Sequence, residues 1–294
     1  MIYTKIQWGI VFATLIVDII WIKFSSISFY YNSKKLLVFS LLLIILYIPY
    51  VLYRKFRPDP KIMMALQATL IFLSYSTVIF VLSYLACTTN QPLVDSTLAS
   101  MDRYLGFYSP SLIFWFRDHA IWNYIFGFIY DAYYFQMPFV LLYVSFFGET
   151  NYLQKYLMQY MIASLLTICI AGFFPAVGTY GWYPYPPEPS QLSELQRFYE
   201  LRQNIVDLRA SDGIITFPSF HTTMGILYIC AFLHERKIIF IPILILNALM
   251  IFSCLSHGGH FLVDIWGGIV VFVIALGIER LIFWSVKKYG IIDS

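Results

Sequence analysis

Long apolar stretches recur along this chain, and short segments that carry charges or prolines separate them. A helix that crosses the roughly 30 Å hydrocarbon core of a bilayer needs about 20 apolar residues at 1.5 Å each. Eight stretches approach this length, at 6–24, 36–53, 62–86, 121–147, 153–174, 219–233, 238–255 and 260–285. The alternation of apolar and polar positions that marks membrane barrels does not occur. The pattern predicts an all-α, polytopic membrane bundle of about eight transmembrane helices.

The composition supports a membrane protein. Of the 294 residues, 60% are hydrophobic and 12% are charged, and the charged share is about half of the roughly 25% found in soluble domains. A water-soluble protein would have to expose much of this apolar surface. The same apolar content excludes a disordered chain. The formal net charge of +3 is small and dispersed, so we expect no nucleic-acid partner.

The basic residues predict an orientation. If the N-terminus is cytoplasmic, the densest groups of Lys and Arg, at 54–61, 234–237 and 287–288, fall on the inner side, as the positive-inside rule requires. Both termini are then cytoplasmic. The first apolar stretch contains Asp18 and no small-residue cleavage site follows it, so we interpret it as a retained span. The Ile, Phe, Tyr and Lys content favours an AT-rich genome and a bacterial inner membrane.

Two long segments, 87–120 and 175–218, lie on the outer side in this orientation. The first contains an amphipathic stretch with a Phe-Trp-Phe cluster, which predicts a helix on the membrane surface. The second begins PAVGTYGWYPYPPEP. Two interpretations of it are open, namely an interfacial belt of Trp and Tyr or a lid over a cleft through which lipids enter.

Three of the five histidines lie where predicted helices begin on this outer side. His221 is at the start of the sixth predicted helix, and His257 and His260 are at the start of the eighth. Asp264 follows His260 by four residues, so the two side chains share a helix face. A carboxylate in that place fixes the tautomer of the imidazole and leaves its other nitrogen free to attack.

The same two helix starts offer donors for an anion. Backbone N–H groups near a helix start lack internal acceptors, and the helix dipole favours negative charge there. Gly258 and Gly259 place such groups before His260, and Pro218-Ser219 builds a second helix start with a hydroxyl donor. Two imidazoles, a carboxylate and oriented donors suit in-line phosphoryl transfer through a phosphohistidine.

A zinc site is an alternative, because His221, His257, His260 and Asp264 are all zinc ligand types. No HExxH or other established zinc spacing supports it, and the four cysteines show no CxxC. The phosphohistidine interpretation requires neither a metal nor a cofactor.

FPSFHTT and the later S…GGHFLVDIWGG resemble the second and third signature motifs of the type 2 phosphatidic acid phosphatase superfamily, usually PSGH and SRxxxxxHxxxD. Six residues separate Ser253 from His260 and three separate His260 from Asp264, as in the third motif. The resemblance extends over about 62–285. It implies a six-helix catalytic core over 62–294, preceded by two additional helices in 1–61.

The resemblance also implies roles for individual residues. His260 would be the nucleophile, Asp264 the residue that orients it, and His221 the acid that protonates the leaving oxygen. Ser219 and the backbone around Phe220 would hold phosphate oxygens.

The sequence departs from the superfamily pattern at the cations. The first motif, KxxxxxxRP, should follow the fifth predicted helix, where the chain reads FFPAVGTYGWYPYPP without Lys or Arg. Cys254 replaces the arginine of the third motif, and Phe220 replaces the glycine of PSGH. A phosphate needs positive partners, so Arg209, just before the second motif, is the nearest candidate and a protonated His257 is the second. This pattern is similar to the inositol phosphorylceramide synthase-like branch.

These observations predict an integral membrane phosphatase or phosphotransferase for lipid phosphates, with its site at the outer face. Its partners would be membrane lipids, with water or an alcohol as the acceptor. A non-catalytic lipid transporter or scaffold is the alternative. Asp18, Asp131 and Glu279 lie inside apolar stretches, where they either bond between helices or line a cavity.

Overall fold

The computed structural model describes residues 2–148, 150–209 and 213–288. Long α-helices dominate these residues, so the predicted all-α bundle is confirmed. The helices are α1 (Ile2–Phe24), α2 (Ser33–Phe56), α3 (Pro60–Cys87), α4 (Asp95–Tyr104), α5 (Ser109–Asp118), α6 (Ala120–Phe147), α7 (Thr150–Phe173), α8 (Thr179–Trp182), α9 (Pro189–Arg202), α10 (Phe220–Ala231), α11 (Lys237–Ser256) and α12 (Leu262–Lys288). Two short strands, β1 (Ser28–Tyr30) and β2 (Ile205–Asp207), complete the described fold.

Seven helices in the described ranges are long and apolar enough to cross a membrane, namely α1, α2, α3, α6, α7, α11 and α12. The predicted sixth span, 219–233, is shorter than expected. The helix α10 has 12 residues, which gives a length of about 18 Å. Ser219 is its N-cap and Phe232 its C-cap, so apolar residues at the C-terminal end of the stretch lie beyond the helix.

Local sequence explains where α2 and α3 begin. The side chain of Asn32 accepts hydrogen bonds from the backbone N–H groups of Lys34 and Lys35, which caps α2. Asp59 caps α3 in the same way, and Pro60 follows it as the first helical residue. Both helices therefore start at a residue that satisfies their unpaired N–H groups.

The helices α3 and α7 pack together at the centre of the bundle. Tyr75 is completely buried there, and its hydroxyl donates to the Met161 carbonyl at 2.8 Å. In contrast, α2 packs on α3 and has no buried residue. Its exposed Leu and Ile side chains suit contact with lipid tails.

The strand β1, between α1 and α2, pairs in parallel with β2, which precedes α10. The register joins Ser28 to Ile205 and Tyr30 to Asp207. The loop between α1 and α2 therefore lies at the same end of the bundle as the segment that leads into α10. Because neighbouring long helices run in alternating directions, the starts of α10 and α12 also lie at this end.

Candidate active site

Ser219 connects the two predicted motifs. Its backbone N–H donates to the carbonyl of Asp264 at 3.0 Å, so the start of α10 is joined directly to α12. Its completely buried hydroxyl accepts from the N–H of Thr222 at 3.3 Å and from the Thr222 hydroxyl at 3.1 Å. The same oxygen lies 3.3 Å from His260 Nε2. The hydroxyl thus has both acceptor positions filled and its proton directed to the imidazole.

His260 and Asp264 form a buried pair. Their exposed fractions are 3% and 0%, and His260 Nδ1 lies 3.2 Å from Asp264 Oδ2. The same carboxylate oxygen accepts from the N–H of Phe261 at 2.9 Å. A carboxylate accepts hydrogen bonds, so it holds the proton on Nδ1 and leaves Nε2 as the nitrogen with a free lone pair.

His221 lies across from this pair. The ring centroids of His221 and His260 are 6.5 Å apart. A phosphate can lie in such a gap with its phosphorus about 3–3.5 Å from His260 Nε2 and one oxygen accepting from His221 at about 2.7–3.0 Å. Tyr130 stacks on the His221 ring at 4.5 Å, and Tyr133 contacts it at the same distance. His221 Nε2 is buried and has no hydrogen-bond partner in the described chain.

A cavity of about 740 Å³ connects these side chains. His221, His257 and His260 all face it. Its other walls come from α5, α6, the start of α9, Tyr180, the segment just before α10 and the loop before α12. Residues in these walls include Arg117, Asn123, Tyr124, Gly127, Phe128, Tyr130, Asp131, Tyr134, Glu188, Gln191, Glu194, Thr216 and Gly258. The cavity therefore places both central histidines next to a space large enough for a phosphorylated headgroup.

Two aspartates on one face of α4 hold the surrounding backbone. Asp102 accepts from the N–H groups of Leu262 and Val263 at 2.8 and 3.0 Å, at the start of α12. Asp95 accepts from Val177 at 3.0 Å and from Gly178 at 2.9 Å. Both carboxylates are almost fully buried. Burial raises the pKa of Asp95 and of Asp102, and the amide donors oppose that rise.

These contacts correct part of the predicted anion-binding site, because protein acceptors already occupy some of its N–H groups. The first N–H groups of α12 bond to Asp102 and Asp264, and the N–H of Gly258 donates to the Cys254 carbonyl at 3.1 Å. The helix start that carries His260 is therefore filled by the protein itself. The N–H groups of Phe220 and His221 lie in the first turn of α10, where a helix supplies no internal acceptor.

Gly259 has a conformational reason to be glycine. Its φ of +66° lies in the left-handed region, where residues with a side chain are strained. A Cβ at this position would collide with the ring of Tyr180. The carbonyl of Gly259 accepts from the N–H of Thr179 at 2.8 Å. Gly259 thus allows the loop that carries His257 and His260 to approach α8 closely.

Arg209 does not reach the cavity, contrary to the sequence expectation. Its guanidinium forms a bidentate ion pair with Asp207, at distances of 2.6 to 3.0 Å, and lies 5.4 Å over the ring of Tyr30. Its side chain is 60% exposed. The hydrogen bonds from Arg209 lower the pKa of Asp207, so the pair stays charged at neutral pH.

Arg117 is the cation that sequence reasoning missed. Within the described residues it is the one Lys or Arg that lines the cavity. Its Nη2 donates to the Pro186 carbonyl at 2.7 Å and lies 3.5 Å from Glu188 Oε1. In the sequence, Arg117 lies at the end of the amphipathic stretch α5, which the pattern predicts to lie on the membrane surface, so nothing local placed Arg117 at a cavity.

His257, the second predicted cation, also lines the cavity. Its Nε2 lies 2.9 Å from the Asn123 carbonyl and its Nδ1 lies 2.8 Å from the Ser256 hydroxyl. Burial lowers the pKa of His257, against the opposing effect of the Asn123 carbonyl. The neutral ring is therefore favoured, and neutral His257 adds no positive charge for a phosphate.

The substituted motif positions belong to the core. Cys254 is completely buried, and its Sγ lies 3.4 Å from the Met250 carbonyl. The Phe220 ring packs near Tyr160, with ring centroids 6.1 Å apart. All four cysteines are free. No group of three or more His, Cys, Asp or Glu side chains in the described ranges is placed to share a metal ion.

The three carboxylates inside apolar stretches have different surroundings. Glu279 accepts from the Tyr3 hydroxyl at 2.7 Å and from Gln159 Nε2 at 3.3 Å, so it bonds between helices. Asp131 lines the cavity. Asp18 is buried, and neither of its carboxylate oxygens has a hydrogen-bond partner among the described residues.

The long apolar helices in the described ranges define a multi-pass membrane protein. A family model described as the PAP2 superfamily matches residues 96–278, more than half of the chain. The chain therefore belongs to the PAP2 superfamily. The match covers α4 to most of α12 and includes both histidine motifs. No curated protein and no solved structure matches the chain.

Proposed function

We propose that this protein is a lipid-phosphate phosphatase or phosphotransferase that works through a phosphohistidine. The observation that carries the proposal is the position of His260, held by Asp264 on one side and facing His221 across the cavity with ring centroids 6.5 Å apart. A nucleophile, a group that orients it and an acid on the opposite side are the parts that such a reaction needs.

The first step would transfer the phosphoryl group to His260. His260 Nε2 attacks phosphorus, the bond from phosphorus to the leaving oxygen breaks, and His221 donates a proton to that oxygen. Burial, and to a smaller extent His260, lower the pKa of His221 to about 3, so His221 would take up this proton only when the negative phosphate is bound beside it. The Ser219 hydroxyl, which points to Nε2 before the reaction, would then donate to a phosphate oxygen. Asp264 stabilises the imidazolium that forms.

The second step would release the group. Water or an alcohol gives a proton to His221 and attacks phosphorus, and the bond between phosphorus and nitrogen breaks. With a phosphomonoester donor, water produces free phosphate and an alcohol produces a new phosphomonoester. With a phosphodiester donor, water produces a phosphomonoester and an alcohol produces a new phosphodiester. Transfer from a phosphodiester donor to an alcohol corresponds to the predicted inositol phosphorylceramide synthase-like branch. Positioned acid–base catalysis of this kind contributes roughly 10²–10⁴-fold to a rate.

Donors for the phosphate oxygens would come from the start of α10 and from α5. They are the Ser219 hydroxyl, the N–H groups of Phe220 and His221, and the guanidinium of Arg117. Arg117 supplies positive charge in place of the first-motif cations that the sequence lacks. The lipid tail would stay in the bilayer beside the bundle while its headgroup occupies the cavity.

The basic residues support a cytoplasmic location for both termini and an extracytoplasmic site. We propose a bacterial inner membrane as the location. The six-helix catalytic core would extend over 62–294, with α1 and α2 as an addition to it.

The test is turnover by purified protein, with phosphatidic acid and several phosphodiester lipids as donors, with and without diacylglycerol or ceramide as acceptor. His260→Ala should lower turnover by at least about 10³-fold. His234→Ala, at an exposed histidine outside the site cavity, is the matched control and should keep wild-type turnover. Wild-type-like turnover by His260→Ala would remove the assignment.

The absence of basic residues from the first motif favours one other function, a lipid transporter or scaffold without catalysis. It predicts lipid binding without turnover of any donor in the panel.

A further inference from the structure

The charged side chains that line the cavity do not supply the net positive charge that a phosphate dianion requires. Arg117 is held by Glu188 and by the Pro186 carbonyl, and it lies 5.2 Å over the ring of Tyr185. The carboxylate of Glu188 therefore offsets the one guanidinium that lines the described cavity. No lysine among the described residues lines it.

Asp131 adds a carboxylate to this balance. It lies in the membrane-spanning helix α6, is exposed, and faces the cavity. An ionisable residue inside a membrane span is costly and lies at functional surfaces. A dianionic phosphomonoester beside Asp131 would meet negative charge that Arg117 cannot also offset.

Aromatic rings surround Asp131 on the same wall. Phe128 and Tyr134 lie three residues before and after it, and Tyr124 lies seven residues before it, so all share one helix face. All three line the cavity, and Phe128 is 64% exposed. A carboxylate among exposed aromatic faces is a favourable site for an organic cation.

We propose that the cavity binds a phospholipid headgroup that carries an alkylammonium group, as in phosphocholine and phosphoethanolamine lipids. The ammonium group contacts Asp131 and the rings of Tyr124, Phe128 and Tyr134. The phosphodiester of the same headgroup lies between His221 and His260. The inference rests on the proposed function, and it names the donor lipid.

A polyol headgroup matches this wall less well. Its hydroxyls can donate to the Asp131 carboxylate. However, phosphatidylinositol brings a negative phosphodiester and no positive charge to a cavity that already holds the carboxylates of Asp131 and Glu188. A zwitterionic headgroup matches both parts of the cavity, because its phosphate has one negative charge and its ammonium group has one positive charge.

Binding is measured with the His260→Ala variant, so that the result does not depend on turnover. In detergent micelles, a fluorescent short-chain phosphatidylcholine is displaced by unlabelled phosphatidylcholine, phosphatidylethanolamine, phosphatidic acid or phosphatidylinositol. We expect the two zwitterionic lipids to bind at least about tenfold more tightly than the two anionic lipids. Water-soluble phosphocholine forms a further arm, and it separates recognition of the headgroup alone from recognition of the whole lipid.

Asp131→Asn on the same background should weaken binding of both zwitterionic lipids by about tenfold. It should strengthen binding of phosphatidic acid, because the removed charge repels the phosphate of that lipid. Asp131→Glu should restore most of the affinity. Glu200→Gln, at a half-buried carboxylate on α9 outside the cavity, is the matched control. Equal losses for all headgroups, no loss, or a preference for an anionic lipid would each overturn the inference.

The two proposals fail separately. Turnover of phosphatidic acid that depends on His260 but not on Asp131 would support the proposed function and overturn this inference. Selective binding of zwitterionic lipids without turnover of any donor would support this inference and remove the enzyme assignment.

Discussion

The first turns of α10 and α12 face the same cavity region, but their backbone N–H groups have different partners. At α12, Asp102 and Asp264 accept from three consecutive N–H groups, those of residues 261, 262 and 263. At α10, Ser219 accepts from Thr222, and no acceptor within the helix serves the first two N–H groups. One helix start is filled by carboxylates and the other offers donors to a ligand.

This difference separates two tasks. An enzyme that forms a phosphohistidine must hold the nucleophile rigidly and must also leave donors open for the oxygens of the phosphate. We infer that α12 positions His260 and that α10 receives the phosphate. The four variants below test this division, from the largest expected effect to the smallest.

Asp264→Asn should lower the turnover number by about 10³-fold, with a smaller change in KM. Its amide nitrogen, placed toward His260 Nδ1, favours the proton on Nε2, which then has no lone pair for attack. Steady-state kinetics measure the effect. A turnover number within tenfold of wild type would contradict a nucleophilic role for His260 Nε2.

Ser219→Ala should lower turnover by about 30- to 100-fold, because the phosphate loses one donor and α10 loses its N-cap. Loss of an N-cap costs about 1 kcal/mol of stability, so thermal unfolding is measured alongside the kinetics. Ser219→Thr, which keeps the hydroxyl, is the control. If the threonine variant is as impaired as the alanine variant, the hydroxyl is not the important feature.

Asp102→Asn should lower turnover by about tenfold. The amide supplies one acceptor oxygen where the carboxylate supplies two, so one buried N–H of α12 loses its partner, at about 1–3 kcal/mol. Asp95→Asn is a matched control, because it removes a carboxylate hydrogen bond to the backbone of residues 177–178 and leaves α12 unchanged. Equal loss of stability with a smaller loss of turnover in the control would sharpen the role of Asp102 in positioning His260.

Arg117→Gln should raise KM by about three- to tenfold and change the turnover number less. Arg117 already has Glu188 and Pro186 as partners, which limits the charge that it offers to a phosphate. Arg117→Lys should recover part of the loss. An unchanged KM in both variants would exclude Arg117 from the binding of the phosphate group.

The sequence predicted much of the fold and the two histidine motifs, because long apolar stretches and motif spacing are local features. It also predicted that His221 and His260 lie at one end of the bundle, since alternate helices run in opposite directions. The 12-residue α10 was predicted as a span because Phe232 and Leu233 are apolar although they lie beyond its last turn.

The error on Arg209 was local, and the other features that the sequence did not predict depend on relations between distant residues. Arg209 is near the second motif in sequence, but Asp207 is two residues away and takes its guanidinium. Asp95 and Asp102 are seven residues apart in a polar helix, and nothing local indicates that they reach the N–H groups of residue 177 and residue 262. Arg117 enters the cavity only because α5 packs against α6 and α11.

The pairing of β1 with β2 has a mechanical consequence. It joins the loop between α1 and α2 to the segment 205–209, and Lys35 Nζ adds a 2.6 Å bond to the Arg209 carbonyl beside the strand pairing. If β2 moved, β1 and the start of α2 would have to move with it or these bonds would break. The first two helices are therefore coupled through hydrogen bonds, and not through packing alone, to the strand that precedes the second motif.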